Sequence, residues 1–516
     1  MTIHAGTADE QLHALTIAFR RADLTLEDLW VRYFTLGGEA GMVEVEAYLN
    51  GLLSLPAGQR DVLAHAVNER LDDLTTRLRV PYSRTLRDPA PVSGPLAALA
   101  DLLDGTQQAS PERLVRHVTR AGDALGVHAV LHLVDYGQHQ LVPVQEDRDR
   151  PGHLVTGTPS GVDSTMAGQA FQRGHVVTSE TEGRSRLWVP VLDGVERLGV
   201  LRVTADDDRN LADPQLHRDL LWVANLVGHL VSAANASGDA LDRARRSEPR
   251  TASAELVWNL LPPLTSGTDR FVVAGQLEPC HRVGGDAFDY ALGEDTAQLA
   301  IFDATGHSLE SGLATTAALA AYRTVRRSGG GLFEQAMAID EIVEATFAGR
   351  YLYVSGILME VDLTAGRLRY VIAGHPSPLL LRDGTVVKTL TGDGRGLFGL
   401  PLRTMTVREE SLQPGDRLLL YTDGVTEARD HDGQFFGIDR LESFIERADA
   451  AGFPLPETVR RLTSAVMDHQ DGVLQDDATV LLASWLPGRD ALTPDAEPVP
   501  TGPPATPGAG GSTEGT

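Results

Sequence analysis

Cysteine is almost absent: Cys280 is the only one in 516 residues. A single thiol excludes an internal disulfide framework and a cysteine-rich zinc site, and reads as a small, partly buried hydrophobe. Positive charge is also short. Against 71 Asp and Glu stand 45 Lys and Arg, a net charge of −26, which argues against sequence-independent nucleic-acid binding because that needs a basic face. Long apolar runs are missing too. The nearest approach, Leu220 to Val231, is broken by Asn225, Gly228 and His229 and falls short of the roughly 20 residues a bilayer requires. The opening MTIHAGTADEQ has neither a basic region nor an apolar core, so no signal peptide is expected and a cytoplasmic location follows. What is present, 42% apolar residues and 28 prolines, suits a globular chain of about three domains at roughly 150 residues each. An acidic protein can still act on phosphate if bound cations reverse the local field. The charge therefore favours metal over an arginine cradle for any phosphate substrate.

The pattern changes along the chain. Residues 1–85 read as a helical segment: Leu63, Val67, Leu71 and Leu74 line one helix face. Residues 86–109, with prolines at their start, read as a linker. From 110 to 236 the pattern is mixed. Ser110 is placed to cap a helix with Pro111 at its first position. The strand candidates AVLHLVDY, LWVPVLDG and RLGVLRVTA follow, with Asp193-Gly194 as a hairpin turn between the last two, then a helix from about Pro214 to Ala234. This order resembles the GAF family of sensor domains, which implies a small ligand for this region. No cysteine lies there to bind a thioether-linked chromophore, and His117, His128, His132, His153 and His175 read as scattered solvated histidines rather than haem ligands. Residues 237–264 read as a helical connector in which Ser253 caps a helix bearing Leu256, Leu260 and Leu261. Residues 265–487 alternate strands and helices. Residues 488–516 collapse to Pro, Gly, Ala, Thr and acids, too little apolar surface to offset ordering entropy, so a disordered tail is expected.

Four acidic clusters in 265–487 border strand-like runs: VGGDAFDY (Val283 to Tyr290), LAIFDATGHS ending in Asp303 and His307, RLLLYTDGVTEAR with Asp423-Gly424, and Asp476-Asp477 before ATVLLASW. Each alone is an ordinary turn. Together they are a set of hard oxygen donors of the kind Mg²⁺ or Mn²⁺ prefers. With AGHPSPLLL and LFGLP in order among them, they resemble the bacterial metal-dependent serine phosphatases, the sporulation-stage and sigma-factor-regulating branch of the type 2C (PPM) family. The resemblance covers about 240 residues.

That resemblance implies an α+β chain whose carboxyl-terminal domain is an αββα sandwich with two or more Mn²⁺ or Mg²⁺ ions at one end. It implies metal roles for Asp286, Asp303, Ala304 (through its carbonyl), Asp423 and Asp476, and catalytic roles for Asp286 and Asp303. Residues three apart or adjacent on an extended strand face opposite sides, which puts Asp289 and Asp477, with Gly306 and Gly424, in a supporting shell. His307 is the nearest candidate proton donor to a serine leaving group, Arg282 a candidate phosphate contact, and His375 a strand-end cap. The implied activity is hydrolysis of phosphoserine on a regulatory protein, a phosphorylated STAS-type anti-sigma-factor antagonist, modulated by the GAF-like domain, with homodimerisation through the connector. A silent sensor on a phosphatase fold and a small-phosphoester hydrolase are the alternatives.

Overall fold

A computed structural model describes residues 8–73, 93–107, 109–181, 184–206, 211–279, 282, 284–306, 308–347, 349–392, 394–400 and 405–486. Cys280, His307, Leu74 and the tail from 488 lie outside the described residues. The chain divides into two units, Met1–Val92 and Ser93–Thr516.

The first unit is helical: Ala8–Arg21, Leu26–Thr35, Met42–Leu49 and Ala57–Asp73. Thr25 and Asp28 form a reciprocal capping box at the second helix. The 4-residue spacing of Leu63, Val67 and Leu71 buries all three against Leu15, Leu29, Tyr33 and Tyr48.

In the second unit, part of the expected linker is a helix, Pro95–Thr106. Proline suits a first helical position because its missing N–H has no partner there anyway, and Ala98 and Leu102 give the helix a face that joins the middle core. Ser110 makes no side-chain cap; Pro111–Arg113 is a 3₁₀ turn leading into Leu114–Ala124. The antiparallel middle sheet runs Leu154–Thr156, Gln140–Glu146, His128–Val134, Glu196–Thr204, Arg184–Asp193, Val177–Thr181, with Ser160–Gly161 also paired to Gln140–Glu146. Its two faces follow from strand alternation. Leu131 and Leu133 face helices including Leu114–Ala124 and Pro214–Asn235, while Val134, Leu141 and Val200 face Phe171 of the helix Met166–Arg173. Two histidines expected to be solvated are buried by this packing. His117 sits 2.8 Å from Asp101, and His132 stands edge-on to Trp188.

The connector is not one helix. Ala240–Arg245 and Ala252–Trp258 are separated by a stretch holding Pro249, which cannot supply a helical N–H. Thr251, not Ser253, caps the second of these helices; the Ser253 hydroxyl donates to the Gly284 carbonyl at 3.1 Å.

Two antiparallel sheets form the remainder. The front sheet orders Asp286–Leu292, Thr296–Ala304, Val354–Asp362, Arg367–Ala373, Arg408–Ser411; the back sheet orders Thr385–Thr389, Leu379–Arg382, Arg417–Tyr421, Ala478–Trp485, Phe271–Glu278, Thr265–Gly267. Inner strands such as Thr296–Ala304, Val354–Asp362 and Ala478–Trp485 are mostly apolar because both faces are covered, whereas the edge strands Arg408–Ser411 and Thr385–Thr389 are largely exposed. Phe288, Ile301, Ile357, Leu420 and Leu481 meet between the sheets. Phe302 and Leu358 face the helices Leu309–Arg327 and Leu332–Phe347, whereas Leu419 and Leu482 face Ile438–Ala450 and Leu455–His469. The layers are helix, sheet, sheet, helix, as the resemblance implies.

Gly228 brings the helix Pro214–Asn235 so close to the middle sheet that a β-carbon there would lie 2.0 Å from the Leu192 carbonyl oxygen. Gly228→Ala should therefore cost about 1–3 kcal/mol through forced displacement, read as a lower midpoint in urea unfolding.

Candidate metal centre

The acids gather at one end of the sandwich because strand register puts them there. Asp286 opens its strand directly opposite Asp303 of the neighbouring strand, so both side chains leave the same face. From the back sheet, the hydroxyls of Thr422 and Thr479 donate to Asp286 Oδ2 at 2.8 and 2.6 Å. Asp286 is thus a buried carboxylate held between the two sheets. Asp423 starts the one-turn helix Asp423–Thr426, just past the strand that ends at Tyr421. Asp476 is exposed, and its Oδ1 accepts the Asp477 backbone N–H at 2.9 Å. Asp477 is buried, and its Oδ2 accepts the N–H groups of Gly284 and Gly285 at 2.6 and 2.8 Å.

Glycine is required twice by these approaches. A β-carbon on Gly424 would stand 1.9 Å from the Asp477 carbonyl oxygen, and one on Gly285 would stand 2.5 Å from that of Ala304. Ala304 is buried and donates its N–H to the Gly285 carbonyl at 3.1 Å. Gly306 sits at φ 88° in the turn after it.

Crowding shows in the electrostatics. Burial, then the charges of Asp303 and Asp477, hold the Asp286 carboxyl well above the usual carboxylate range. Asp303 is pushed up to about 7 by burial and then by Asp423, Asp476 and Asp477. Asp423 is raised by burial and by Asp476 and Glu427, and Asp477 is raised by burial despite its two backbone donors. Among the described residues no three His, Cys, Asp or Glu side chains close on one point. The residues fit a hard dication that takes few carboxylates and keeps several waters, and do not fit an all-protein cage.

Other expected residues lie elsewhere. Asp289, expected in the supporting shell, faces away from the cluster and pairs with Arg323 at 2.7 Å and Arg326 at 3.0 Å, fastening the helix Leu309–Arg327. An offset of three residues on one strand is the reason. Arg282 is exposed and 3.6 Å from Glu248. His375 is buried with Nδ1 2.6 Å from the Ser355 hydroxyl, and burial pushes its imidazole down to about 3. Ser355 stands opposite Asp303 in register. Thr422 and Thr479, which hold Asp286, were not among the expected site residues, although a threonine close to an acid at the mouth of an apolar strand was a usable signal.

Residues 293–486 match the family model described as Stage II sporulation protein E (SpoIIE). This segment is similar to the SpoIIE family. The match begins after Asp286 and Asp289 and takes in Asp303, Asp423, Asp476 and Asp477. Protein IcfG of Synechocystis sp. is 24% identical over 262 residues, 45% of this chain and 40% of that protein. Among solved structures, the RsbU and RsbW domains of Rv1364c from Mycobacterium tuberculosis share 23% identity over 44% of this chain and 63% of that one, with a TM-score of 0.38. The SiaA-PP2C domain of Pseudomonas aeruginosa shares 23% identity over 49% and 99%, with a TM-score of 0.39. The chain thus spans well under half the length of the curated relative it matches.

Raised carboxyl pKa values make the acidic cluster a pH-dependent liability. The folded state holds protons that the unfolded chain, titrating near 3.8, has released, so the contribution of Asp303 to stability is full below the unfolded value and is lost as pH rises through about 7. In EDTA the melting temperature should drop between pH 5.5 and pH 8, and Asp303→Asn should narrow that drop. An unchanged drop would mean that Asp303 is not under this repulsion.

Proposed function

We propose that this chain is a metal-dependent protein-serine/threonine phosphatase. The observation that carries the reading is the buried, mutually repelling carboxylate group joining both sheets of a SpoIIE-type fold. Such a group is costly on its own and becomes favourable beside dications. Asp303, Asp423 and Asp476, with Asp286 and the Ala304 carbonyl, are the groups that would hold Mn²⁺ or Mg²⁺. When bound, the ions supply an activated water for in-line attack on phosphorus and stabilise the phosphoryl oxygens.

The chain's own residues do the positioning. Thr422 and Thr479 fix Oδ2 of Asp286 from the side of the back sheet. Asp477 ties the Gly284–Gly285 backbone against the opposite sheet, and Gly424 allows the Asp423 turn to approach it. Held in this way, the carboxylates need little reorganisation as charge develops on the substrate.

The substrate we propose is a phosphoserine of a regulatory protein, a STAS-type anti-sigma-factor antagonist, as the motif series suggests. The middle sheet with its flanking helices would serve as a GAF-like sensor for a small ligand, and the chain would work as a homodimer. Among the described residues no helix is long and apolar enough to cross a membrane.

EDTA should abolish hydrolysis of a generic phosphoester, and millimolar Mn²⁺ or Mg²⁺ should restore it. Asp303→Asn and Asp423→Asn should each lower kcat by on the order of 10³ with circular dichroism unchanged. Full turnover in EDTA would falsify the metal reading. Release of phosphate from a purified phosphorylated STAS protein, faster than from the generic ester, would support the proposed substrate.

A further inference from the structure

The tip of the middle hairpin reaches the SpoIIE-type fold through buried charge. Arg197, two residues past the turn that closes at Val195, is buried and donates to Glu457 Oε2 at 3.1 Å and to Gln138 Oε1 at 3.0 Å. Glu457, itself 1% exposed, lies in the first turn of the helix Leu455–His469 and also accepts from Arg460 at 2.8 Å. Arg460 returns to the middle region, donating to Asp163 at 3.1 Å. Gln138 donates at 2.7 Å to Gln276, which donates at 3.0 Å to Glu278. A guanidinium can serve both branches because its donors form a rigid planar fork.

The two branches lead to the same place. The helix Leu455–His469 packs Val459, Leu462 and Val466 on the back sheet and runs on, seven residues later, to Asp476 and Asp477. The strand Phe271–Glu278 ends at Glu278, opposite Ala478 in register, shortly before Gly284 and Gly285. These two chain segments meet where the Asp477 carboxylate accepts the two glycine N–H groups. We infer that Arg197 is a positioning residue for the acidic centre: from the middle region it clamps the helix and the strand whose continuations form the Asp477–Gly284–Gly285 contact. The connector is a separate link, and the clamp does not pass through it. The inference deepens the phosphatase reading, because the contact it sets shapes the metal-binding end.

The test uses the full chain and Arg197→Met, which keeps an unbranched stem but removes the guanidinium, while leaving Glu457 its two other arginine partners. In EDTA, amide hydrogen exchange should rise at least tenfold in peptides covering 282–288 and 470–478, with exchange in the strands Thr296–Ala304 and Val354–Asp362 unchanged. In the Mn²⁺ titration of generic phosphoester hydrolysis, the concentration for half activity should rise severalfold, with kcat at saturating Mn²⁺ less affected. Arg197→Lys, which keeps charge but not the fork, should show smaller changes of the same sign. Arg116→Ala, which removes an outlying ion pair with Glu146, should show neither change. If Arg197→Met does not fold, Arg197→Lys alone decides by the same two readouts. A folded variant with wild-type exchange in both peptides overturns the inference. A wild-type chain without metal-dependent turnover would instead overturn the phosphatase reading, and the exchange comparison would still stand.

Discussion

The mutual repulsion of carboxylates at one end of the sandwich is the constraint around which the rest is arranged. Four of them, Asp286, Asp303, Asp423 and Asp477, hold their protons more tightly than free carboxyls because they are buried beside one another. Only a rigid scaffold can keep such a group together without a counter-ion. The sheets supply it through continuous ladders, and the cores on both sides of each sheet resist the separation that repulsion would favour. Asp286 is the joint, on one sheet and hydrogen-bonded to two threonines of the other.

The rest of the two-sheet fold supports that joint by closing gaps. Glycines stand where backbone meets backbone, at Gly285 and Gly424. Ser253 and Thr315 donate to the carbonyls of Gly284 and Gly285, so the loop bearing the first acidic motif is held by a connector helix, by the helix Leu309–Arg327 and by Asp477 at once. Asp289, on the other face of its strand, neutralises Arg323 and Arg326 under the helix instead. Two acids three residues apart are thereby divided between function and packing by the pleat of one strand.

The contact with the middle region adds a second set of charges with the opposite character. Buried Arg197, Glu457 and Arg460, with exposed Asp163, are mutually compensated. A compensated network contributes little net stability but strongly penalises loss of a single partner, which makes it better suited to fixing orientation than to adhesion. Its two branches end on the segments that hold Asp477.

Much of this was legible in the residues. Strand-bordering acids in a fixed order and an Asp-Gly turn between two strands are local properties, and the αββα layering was implied by the family resemblance that the acidic motifs carry. The sequence by itself also separated Asp286 from Asp289, because strand alternation is a period of two. Local pattern failed where partners are distant or where one residue type carries two meanings. Proline marks linkers and first helical turns alike, which hid the helix Pro95–Thr106, and the break at Pro249 and the Thr251 cap lie in a charged stretch with little apolar periodicity. Thr422 and Thr479 became partners of Asp286 only when segments 136 and 193 residues away along the chain met it. The Arg197–Glu457 pair, 260 residues apart, has no signature in sequence at all, since any solvated arginine and glutamate look the same until packing removes the water around them. Tertiary structure alone decided which acids crowd, which are neutralised and which chain segments are clamped, because each of those depends on distance and burial rather than on order along the chain.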